Sequence, residues 1–434
     1  MEPLAIHGGR PVRSGPPIPL SRPSFGAEEL DEIREVFDQG VFCAINPGAT
    51  KVKQLEAALA EVTGARHVIA TSSGATAQHA TLSALDIGPG DEVIVPSLTF
   101  YSTAYTVLLQ NAIPVFAEVD PDTITLDPDD VRRRVSARTR AIVPVHWFGR
   151  PAEMDTLLEI AAEHDLFVIE DCAHAFGTTY RGRPAGSLGH LAAWSMQESK
   201  LITSAGDGGF ITTNDDRLAE RARMARDHGR RPKATPPGQH DYERLVEMGN
   251  HYRLTEVQAA FALAQLRKLP SFRERRRQAT EALDAGLRGI EGLAFQQREG
   301  DFNLSYGYYP VLFRTGHFAA DIDEITAAFA AEGVTTYPIA KDEMCHVQPV
   351  FTNHRGRGRA NCPFDCCRDA SYPPYGRGTL PVSEQVGEEL ILLPLFPDLT
   401  STDIEDVIRA VWKVAEGLRA SAQTVASSRG GMAS

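Results

Sequence analysis

The chain has 434 residues, of which 42% are hydrophobic and 23% charged, so it is long enough for two or three globular domains. Its formal net charge of −13 argues against a nucleic acid or an acidic membrane surface as the main partner. Residues 1–17 lack the apolar run of a signal peptide, and no segment approaches the ~20 apolar residues of a membrane span. We therefore expect a cytoplasmic protein that binds neither membrane nor nucleic acid and whose six cysteines are reduced thiols.

Short β-rich runs alternate with helical patterns between about residues 66 and 215. The runs that predict strands are, in chain order, residues 67–71, 92–96, 113–119, 141–146, 166–171, 191–196 and 209–213. Several are continuously apolar, which is typical of strands buried on both faces. Helical patterns at 75–86 and 153–164 lie between them. The alternation predicts an α/β fold with a mostly parallel seven-stranded sheet and helices on both faces, whose ligands bind beyond the C-terminal strand ends.

Four of these strands end in residues that are suited to binding a ligand. Residues 72–77, SSGATA, open a helix after the first strand, and the free N–H groups of a helix start can bind an anion. Phe100 follows the second strand, while Ser195 and Lys200 follow the sixth. Asp171 ends a buried strand, where a carboxylate needs a cationic or hydrogen-bonding partner, although a structural ion pair would also explain it.

Lys200 by itself permits two interpretations. Most lysines are solvated surface residues, but a lysine held in a cleft can form a Schiff base with a carbonyl compound. The four strand ends together provide a phosphate anchor, an aromatic face, a carboxylate and an amine. Pyridoxal phosphate needs all four, since a buried aspartate keeps its ring nitrogen protonated and an amine binds its aldehyde. The combination is therefore much more specific than any one part.

The chain resembles the DegT/DnrJ/EryC1/StrS family of pyridoxal-phosphate aminotransferases, which have fold type I. The resemblance extends from about residue 4 to 418 and includes VIEDCAHAFG, WSMQESKLITSAGDGGF and HYRLTEVQAAFALAQL. It implies a fold type I α/β enzyme with an N-terminal arm at 1–24 and a large cofactor-binding domain at 25–270. Helical patterns such as 321–333 and 401–418 predict a smaller C-terminal α+β domain at 271–419. Residues 420–434 are small and polar, which predicts a disordered tail.

The resemblance also implies roles for single residues. Lys200 is expected to form the Schiff base and to act as the catalytic base. Asp171 pairs with the pyridine nitrogen, Ser195 contacts the phosphate, His174 lies near the cofactor hydroxyl, and Phe100 stacks on the ring.

Two departures from the family pattern concern the phosphate. Gly74 and Ala75 offer backbone N–H groups, but the family often has threonine where Ala75 stands, and it is open whether Thr76 replaces it. Relatives have an N-Y-R segment whose asparagine reaches the phosphate across a dimer interface, whereas this chain has His251 there, preceded by Asn250. We therefore expect a homodimer with shared active sites, in which Asn250 or His251 makes that contact.

The implied reaction is ping-pong amino transfer from L-glutamine or L-glutamate to a ketone. The opening LAIHGGRPVR and the M-Q-x-x-K context of Lys200 resemble the branch that acts on cyclic polyol ketones in aminoglycoside-type antibiotic pathways. A keto-cyclitol or keto-sugar acceptor is therefore favoured, with a nucleotide-sugar aminotransferase or a 3-amino-5-hydroxybenzoate-synthase-like enzyme as alternatives. Dehydratase relatives have histidine in place of the lysine, and a non-catalytic sensor would lose the site, so Lys200 argues against both.

A cysteine-rich segment, residues 343–367, raises the question of a metal. Cys362, Cys366 and Cys367 follow two histidines, which makes zinc conceivable. The Cys-x₃-Cys-Cys pattern lacks the paired spacing of a zinc knuckle, however, so we predict buried or loop thiols and no metal.

Overall fold

The computed structural model describes residues 2–232, 242–339, 343–366 and 372–419. Within these ranges the α-helices are α1 (Ala27–Gln39), α2 (Lys51–Thr63), α3 (Gly74–Ala84), α4 (Ser102–Leu109), α5 (Pro128–Arg134), α6 (Met154–His164), α7 (Asp216–Arg226), α8 (Glu256–Leu287), α9 (Ile322–Ala331), α10 (Pro349–Thr352), α11 (Pro381–Glu389) and α12 (Ser401–Gly417). The strands are β1 (His67–Thr71), β2 (Glu92–Pro96), β3 (Ile113–Ala117), β4 (Thr139–Ile142), β5 (Phe167–Asp171), β6 (Thr179–Tyr180), β7 (Arg183–Pro184), β8 (Leu191–Ser195), β9 (Gly209–Thr213), β10 (Arg230–Pro232), β11 (Tyr242–Leu245), β12 (Leu293–Phe295), β13 (Phe302–Asn303), β14 (Tyr309–Phe313), β15 (Tyr337–Pro338) and β16 (Leu390–Leu393).

Seven strands form the central sheet in the order β1-β9-β8-β5-β4-β2-β3. The five strands β8, β5, β4, β2 and β3 are parallel, whereas β9 is antiparallel to both β1 and β8. The predicted seven-stranded, mostly parallel sheet is therefore confirmed. Nearly every residue of these strands is buried, because helices cover both faces, and this explains the continuous apolar runs in the sequence.

One predicted strand is shorter than its apolar run. The run at 141–146 forms ladder pairs only up to Ile142, because Pro144 has no N–H to donate. The chain nevertheless stays beside β5: the carbonyl oxygen of Pro144 accepts the N–H of Asp171 at 2.8 Å, and Val145 forms a parallel bridge with Asp171. This contact helps to fix the end of β5.

The core of the large sheet has two apolar layers. Alternate strand residues such as Ile69, Val93 and Ile169 pack against α3, α4 and α7 on one face. Their neighbours, such as Val68 and Val168, pack against α2, α5, α6 and α8 on the other. Each buried aliphatic side chain contributes roughly 1.5–3 kcal/mol relative to an exposed one, so the helices are firmly held and the strand ends have defined positions.

The C-terminal residues form a second sheet, β12-β14-β16-β15, whose strand pairs are antiparallel. It packs with α9, α12 and the end of α8 around a separate apolar core, which also buries Leu4 and Ile18 of the N-terminal segment. Asp321 caps α9 and Thr400 caps α12, each by accepting a backbone N–H with its side-chain oxygen. Helix α8 continues on both sides of residue 270, so the exact domain boundary remains a prediction.

The cysteines differ from the prediction at one place. Cys362 and Cys366 form a disulfide, because the turn between them brings their Cα atoms to 5.1 Å, so the prediction of thiols was wrong for this pair. Cys43, Cys172 and Cys345 are free. Cys367 and the predicted tail 420–434 lie outside the described residues. In the part of the chain that is described, no helix is long and apolar enough to cross a membrane.

Candidate active site

Three chain segments meet at the C-terminal edge of the parallel strands. Asp171 is paired with Ala193 of β8, so Ser195 lies just beyond it on the neighbouring strand. Gly74, the first residue of α3, packs directly against Ser195: a Cβ atom built on Gly74 would lie 2.8 Å from the Cβ of Ser195. A glycine is therefore required for this approach, and it brings the start of α3 to the strand ends.

Helix α3 begins with a capping box. The hydroxyl of Ser73 accepts the N–H of Thr76 at 3.1 Å, and the hydroxyl of Thr76 accepts the N–H of Ser73 at 2.9 Å. Thr76 also donates to the carbonyl oxygen of Ser73, so its hydroxyl serves the cap. The N–H groups of Gly74 and Ala75 lie in the first turn, where a helix offers no internal acceptor, and they suit an anion such as phosphate.

The buried carboxylate of Asp171 is held in place by hydrogen bonds and not by an ion pair. Its Oδ2 accepts from the hydroxyl of Thr103 at 2.8 Å and from Nε2 of Gln78, and its Oδ1 accepts the N–H of Ala173 at 3.1 Å. No basic side chain of the described residues forms a salt bridge with it. Burial raises the pKa of Asp171 above its ordinary value. The ion-pair alternative is therefore not what the structure contains, and a bound cationic group would stabilise the charged carboxylate.

Lys200 and His174 are in direct contact. The Nζ atom of Lys200 lies 2.8 Å from Nε2 of His174. Burial, and then the charge of Lys200, lower the pKa of His174 well below its ordinary value, so the ring is neutral. Its Nδ1 accepts the N–H of Phe148 at 3.3 Å, which places the ring proton on Nε2. In this tautomer the N–H of Nε2 lies against the amine of Lys200, the group that would bond the aldehyde carbon of the cofactor.

Aromatic rings surround this pair. Trp147 stacks on His174 with ring centroids 4.7 Å apart, and the ring centroids of Tyr308 and His174 are 4.4 Å apart. The hydroxyl of Tyr308 accepts a hydrogen bond from Nζ of Lys200 at 3.3 Å. Phe100, by contrast, is 53% exposed, and its ring packs on Tyr101 at 4.1 Å. Its predicted stacking on the cofactor ring therefore stays a prediction.

Sequence reasoning missed Gln78, Thr103, Trp147 and Tyr308. A signal existed for two of them. Gln78 is, with His79, one of two long polar side chains in a helix of mostly small residues, and Trp147 follows the apolar run at 141–146. Thr103 and Tyr308 have no comparable signal, because ordinary helix and strand residues surround them.

Asn250 and His251 lie beside the start of α3. The N–H of Ser72 donates to the carbonyl oxygen of Tyr252 at 2.8 Å, which ties this segment to the helix that holds Gly74. Asn250 is half-buried and His251 is exposed. Within the described ranges, neither side chain hydrogen-bonds to Lys200 or its neighbours. Their predicted contact across a subunit interface remains a prediction.

One group of possible metal ligands lies behind the site. The ligand atoms of His146, Glu170 and Cys172 all lie within 4.8 Å of one another. The N–H of Ala152 donates to Nδ1 of His146 at 3.1 Å, so Nε2 is the ring atom that donates to Glu170 at 2.9 Å. Glu170 also accepts three N–H groups from residues 186–189, and burial raises the pKa of the Cys172 thiol. These hydrogen bonds use the ligand atoms of His146 and Glu170, and those of Glu170 hold the 186–189 loop in place.

The residues at the strand ends fit pyridoxal phosphate. Gly74 has no side chain, so the start of α3 lies directly against Ser195. Asp171 lacks a cationic partner among the described side chains. The Oε1 atom of Gln78 is buried beside Asp171 without a hydrogen-bond partner. Lys200 supplies the amine. Gly74 with Ser195, Asp171 and Lys200 correspond in turn to the phosphate, the ring nitrogen and the aldehyde of the cofactor.

Comparisons with known proteins agree with this chemistry. The sequence model of the DegT/DnrJ/EryC1/StrS aminotransferase family matches residues 23–412. DesV from S. venezuelae, solved in complex with a ketimine intermediate, is 31% identical, with 93% of this chain and 99% of that chain covered and a TM-score of 0.78. The sugar aminotransferase CalS13 from Micromonospora echinospora is 27% identical, with 91% and 99% covered and a TM-score of 0.77. DesI, solved in the presence of its TDP-sugar product, is 27% identical, with 98% of each chain covered and a TM-score of 0.79.

The family match includes all of the site residues described above, from Gly74 to Tyr308. The similar structures extend over more than nine tenths of the chain, so both the large sheet and the C-terminal sheet are shared with aminotransferases. The chain therefore belongs to the DegT/DnrJ/EryC1/StrS aminotransferase family and is a pyridoxal-phosphate-dependent aminotransferase.

Proposed function

We propose that the protein transfers an amino group from L-glutamine or L-glutamate to a polyhydroxylated cyclic ketone, a keto-cyclitol or keto-sugar, in natural-product biosynthesis such as that of aminoglycoside-type antibiotics. The observation that supports this most directly is the position of the Lys200 amine. It lies between the neutral ring of His174 and the hydroxyl of Tyr308, at the strand ends that also place Asp171.

Each site residue has a task in such a transfer. The N–H groups of Gly74 and Ala75 and the hydroxyl of Ser195 would hold the phosphate of the cofactor, and Asp171 would pair with its ring nitrogen. When bound, pyridoxal phosphate supplies the electron sink that makes the α-hydrogen of an attached amino compound acidic. The amine of Lys200 removes that proton from the α-carbon of the donor.

Polar groups beside Lys200 favour an acceptor rich in hydroxyls. The side-chain oxygen of Gln197 accepts from the hydroxyl of Ser199 at 2.6 Å, and this hydroxyl lies 3.3 Å from that of Tyr308. The chain of hydrogen bonds continues to Lys200. A polyol can pair with such groups, whereas an apolar ketone would leave them unpaired, which is costly in a closed site.

A nucleotide-linked keto-sugar is the second candidate for the acceptor. The similarity to DesI, whose structure was solved in the presence of its TDP-sugar product, favours it. The two candidates share the ketone-bearing ring and differ in the nucleotide, so a direct comparison of substrates separates them.

The test is a two-step assay on the cofactor-loaded protein. L-glutamine or L-glutamate should bleach the visible absorbance band of the bound cofactor. A keto-cyclitol or a keto-sugar should then restore the band and appear as an amine by mass spectrometry. Cyclohexanone, which has the ring but no hydroxyls, should react at least about a hundredfold more slowly. Restoration by simple 2-keto acids alone would contradict the proposal.

We also propose that the enzyme is a homodimer with shared active sites. Beside the 250–253 segment, Leu245 and Val246 are exposed and Met248 is 92% exposed, which is an unusual cluster for a free surface. A partner subunit would cover these side chains and would bring Asn250 and His251 of one chain towards the phosphate of the other.

The double substitution Asn250→Ala/His251→Ala should weaken cofactor binding about ten- to a hundredfold, because a charge-assisted contact to phosphate contributes about 1.5–3 kcal/mol. A mixed dimer tests whether the contact is shared: one subunit has Lys200→Ala and the other has the double substitution. With shared sites, one site receives both defects and the other none. About half of the parent activity should then remain at limiting cofactor.

If the contact lies within one subunit, each site of that mixed dimer has one defect and activity at limiting cofactor falls far below half. A mixed dimer of parent and Lys200→Ala subunits is the control, because it retains half of the activity under either arrangement. Sedimentation must show a dimer, and an active monomer would exclude shared sites.

A further inference from the structure

Gln78 is the buried neighbour of Asp171 that the reaction described so far does not use. It lies on α3, one turn after Gly74, and is 6% exposed. Its Nε2 donates to Oδ2 of Asp171, while its Oε1 is buried without a partner among the described groups. The other buried residues of this helix, such as Ala77 and Ala80, are mostly small or apolar. An amide here loses its hydration and its rotamer freedom, so it needs a compensating role.

The donors around Asp171 are distributed unevenly over its two oxygens. Oδ2 accepts from both Gln78 and Thr103, whereas the backbone N–H of Ala173 is the only donor to Oδ1 in the described part of the chain. Two donors on one oxygen fix the rotation of the carboxylate group. Oδ1 keeps acceptor capacity for a further donor.

The absence of charge on the Gln78 side chain matters as much as the position of that side chain. Lys200 and His146 are the basic side chains that would lower the pKa of Asp171 when they carry a positive charge, and neither is in salt-bridge contact with it. An arginine or lysine at position 78 would neutralise Asp171 and compete with a cationic ring nitrogen. A neutral amide instead stabilises the ionised carboxylate and leaves its charge for the ligand.

We propose that Gln78 is a positioning residue that, together with Thr103, orients the Asp171 carboxylate and keeps it ionised so that it can pair with the protonated ring nitrogen of the cofactor. The inference rests on the proposed role of Asp171. It adds a residue that acts through Asp171 and touches neither the donor nor the acceptor.

The test measures cofactor affinity by equilibrium dialysis of the cofactor-free protein, so it does not depend on turnover. Gln78→Met keeps the length and approximate volume of the side chain and removes the amide, and Gln78→Leu is the second variant in case one folds poorly. Each should bind pyridoxal phosphate about tenfold more weakly, since hydrogen bonds to charged groups are among the stronger ones. Thr81→Val is the matched control, because Thr81 is buried on the same helix and its hydroxyl donates to the backbone carbonyl oxygen of Gln78 and not to Asp171.

A cycle with Asp171→Asn separates positioning from packing. In the Asp171→Asn background, the further change Gln78→Met should have little effect on affinity, because no carboxylate remains to be oriented. Equal losses in both backgrounds would mean that Gln78 only fills space, and parent-like binding by both Gln78 variants would overturn the inference directly. If Asp171→Asn alone binds the cofactor as tightly as the parent, the role of Asp171 itself fails, which is a distinguishable outcome.

Discussion

Replacing Lys200 with alanine should abolish amino transfer, with a loss of about 10⁴-fold or more. The substitution removes both the amine that bonds the cofactor and the base that moves the α-proton of the donor. No second lysine of the described residues contacts His174, so nothing in the cluster replaces the missing amine. The measurement is turnover of L-glutamine or L-glutamate with a keto-cyclitol or keto-sugar, together with the visible absorbance of the cofactor-loaded protein.

The fold should tolerate this change. Lys200 lies at the open end of the strands, where its contacts are single hydrogen bonds to His174 and Tyr308. Thermal unfolding of Lys200→Ala should therefore resemble that of the parent protein. Lys53→Ala, at an exposed position of α2, is the matched control and should keep full activity. Near-normal turnover of Lys200→Ala, with an unchanged visible band, would show that the assignment is wrong.

The second large effect is expected for Asp171→Asn, which should slow the donor half-reaction about 10²–10³-fold. A carboxylate can hold the proton on the ring nitrogen of the cofactor, whereas a neutral amide cannot. Stopped-flow loss of the visible band after addition of L-glutamate measures this step. The asparagine oxygen can still accept from Thr103 and Gln78, so the shape of the site is preserved. Half-reaction rates close to those of the parent would exclude this role for Asp171.

The thermal stability of the cofactor-free protein provides an independent check that Asp171 is a buried charge. Burial raises its pKa, so the folded state disfavours the charged carboxylate, and this cost grows as the pH rises through the raised pKa. Asp171→Asn removes the cost. Without cofactor, the variant should unfold at the same or a higher temperature than the parent near neutral pH, and this advantage should disappear in acid, where Asp171 is protonated.

A control aspartate helps to interpret this result. Asp130 is also buried, but it pairs with Arg133 and Arg134 on α5 and forms no hydrogen bond with the described residues of the site. Asp130→Asn should reduce stability, because it breaks these ion pairs, and should leave the half-reaction rate unchanged. A gain in stability for Asp171→Asn with a loss for Asp130→Asn would distinguish a functional buried charge from a structural one.

The local sequence pattern was sufficient to predict the strands of the central sheet. Parallel strands covered on both faces must be apolar along most of their length, so the runs around 92–96, 113–119 and 166–171 could be read directly. Ligand-binding residues of such sheets follow the strand ends, which is why Asp171 and Lys200 could be identified before their contacts were known. The family resemblance then supplied roles that the pattern alone does not contain.

The composition of the site around these residues depended on tertiary structure. Gln78 and Thr103 belong to different helices, and only the packing of α3 and α4 on the same face of the sheet brings both to Asp171. Tyr308 comes from a segment more than a hundred residues after Lys200. Local periodicity says which face of an element is buried, but not which face of another element it meets.

The sequence of this protein by itself determined its fold class, its family and the residues at the strand ends, because burial and strand ends leave local signals. Tertiary structure alone decided the neutral tautomer of His174, the two donors on one oxygen of Asp171 and the Cys362–Cys366 disulfide. These depend on distances between atoms that are far apart in the chain or on the geometry of one turn. Hydrogen bonds and disulfides form only within narrow limits of distance and angle, and composition does not encode those limits.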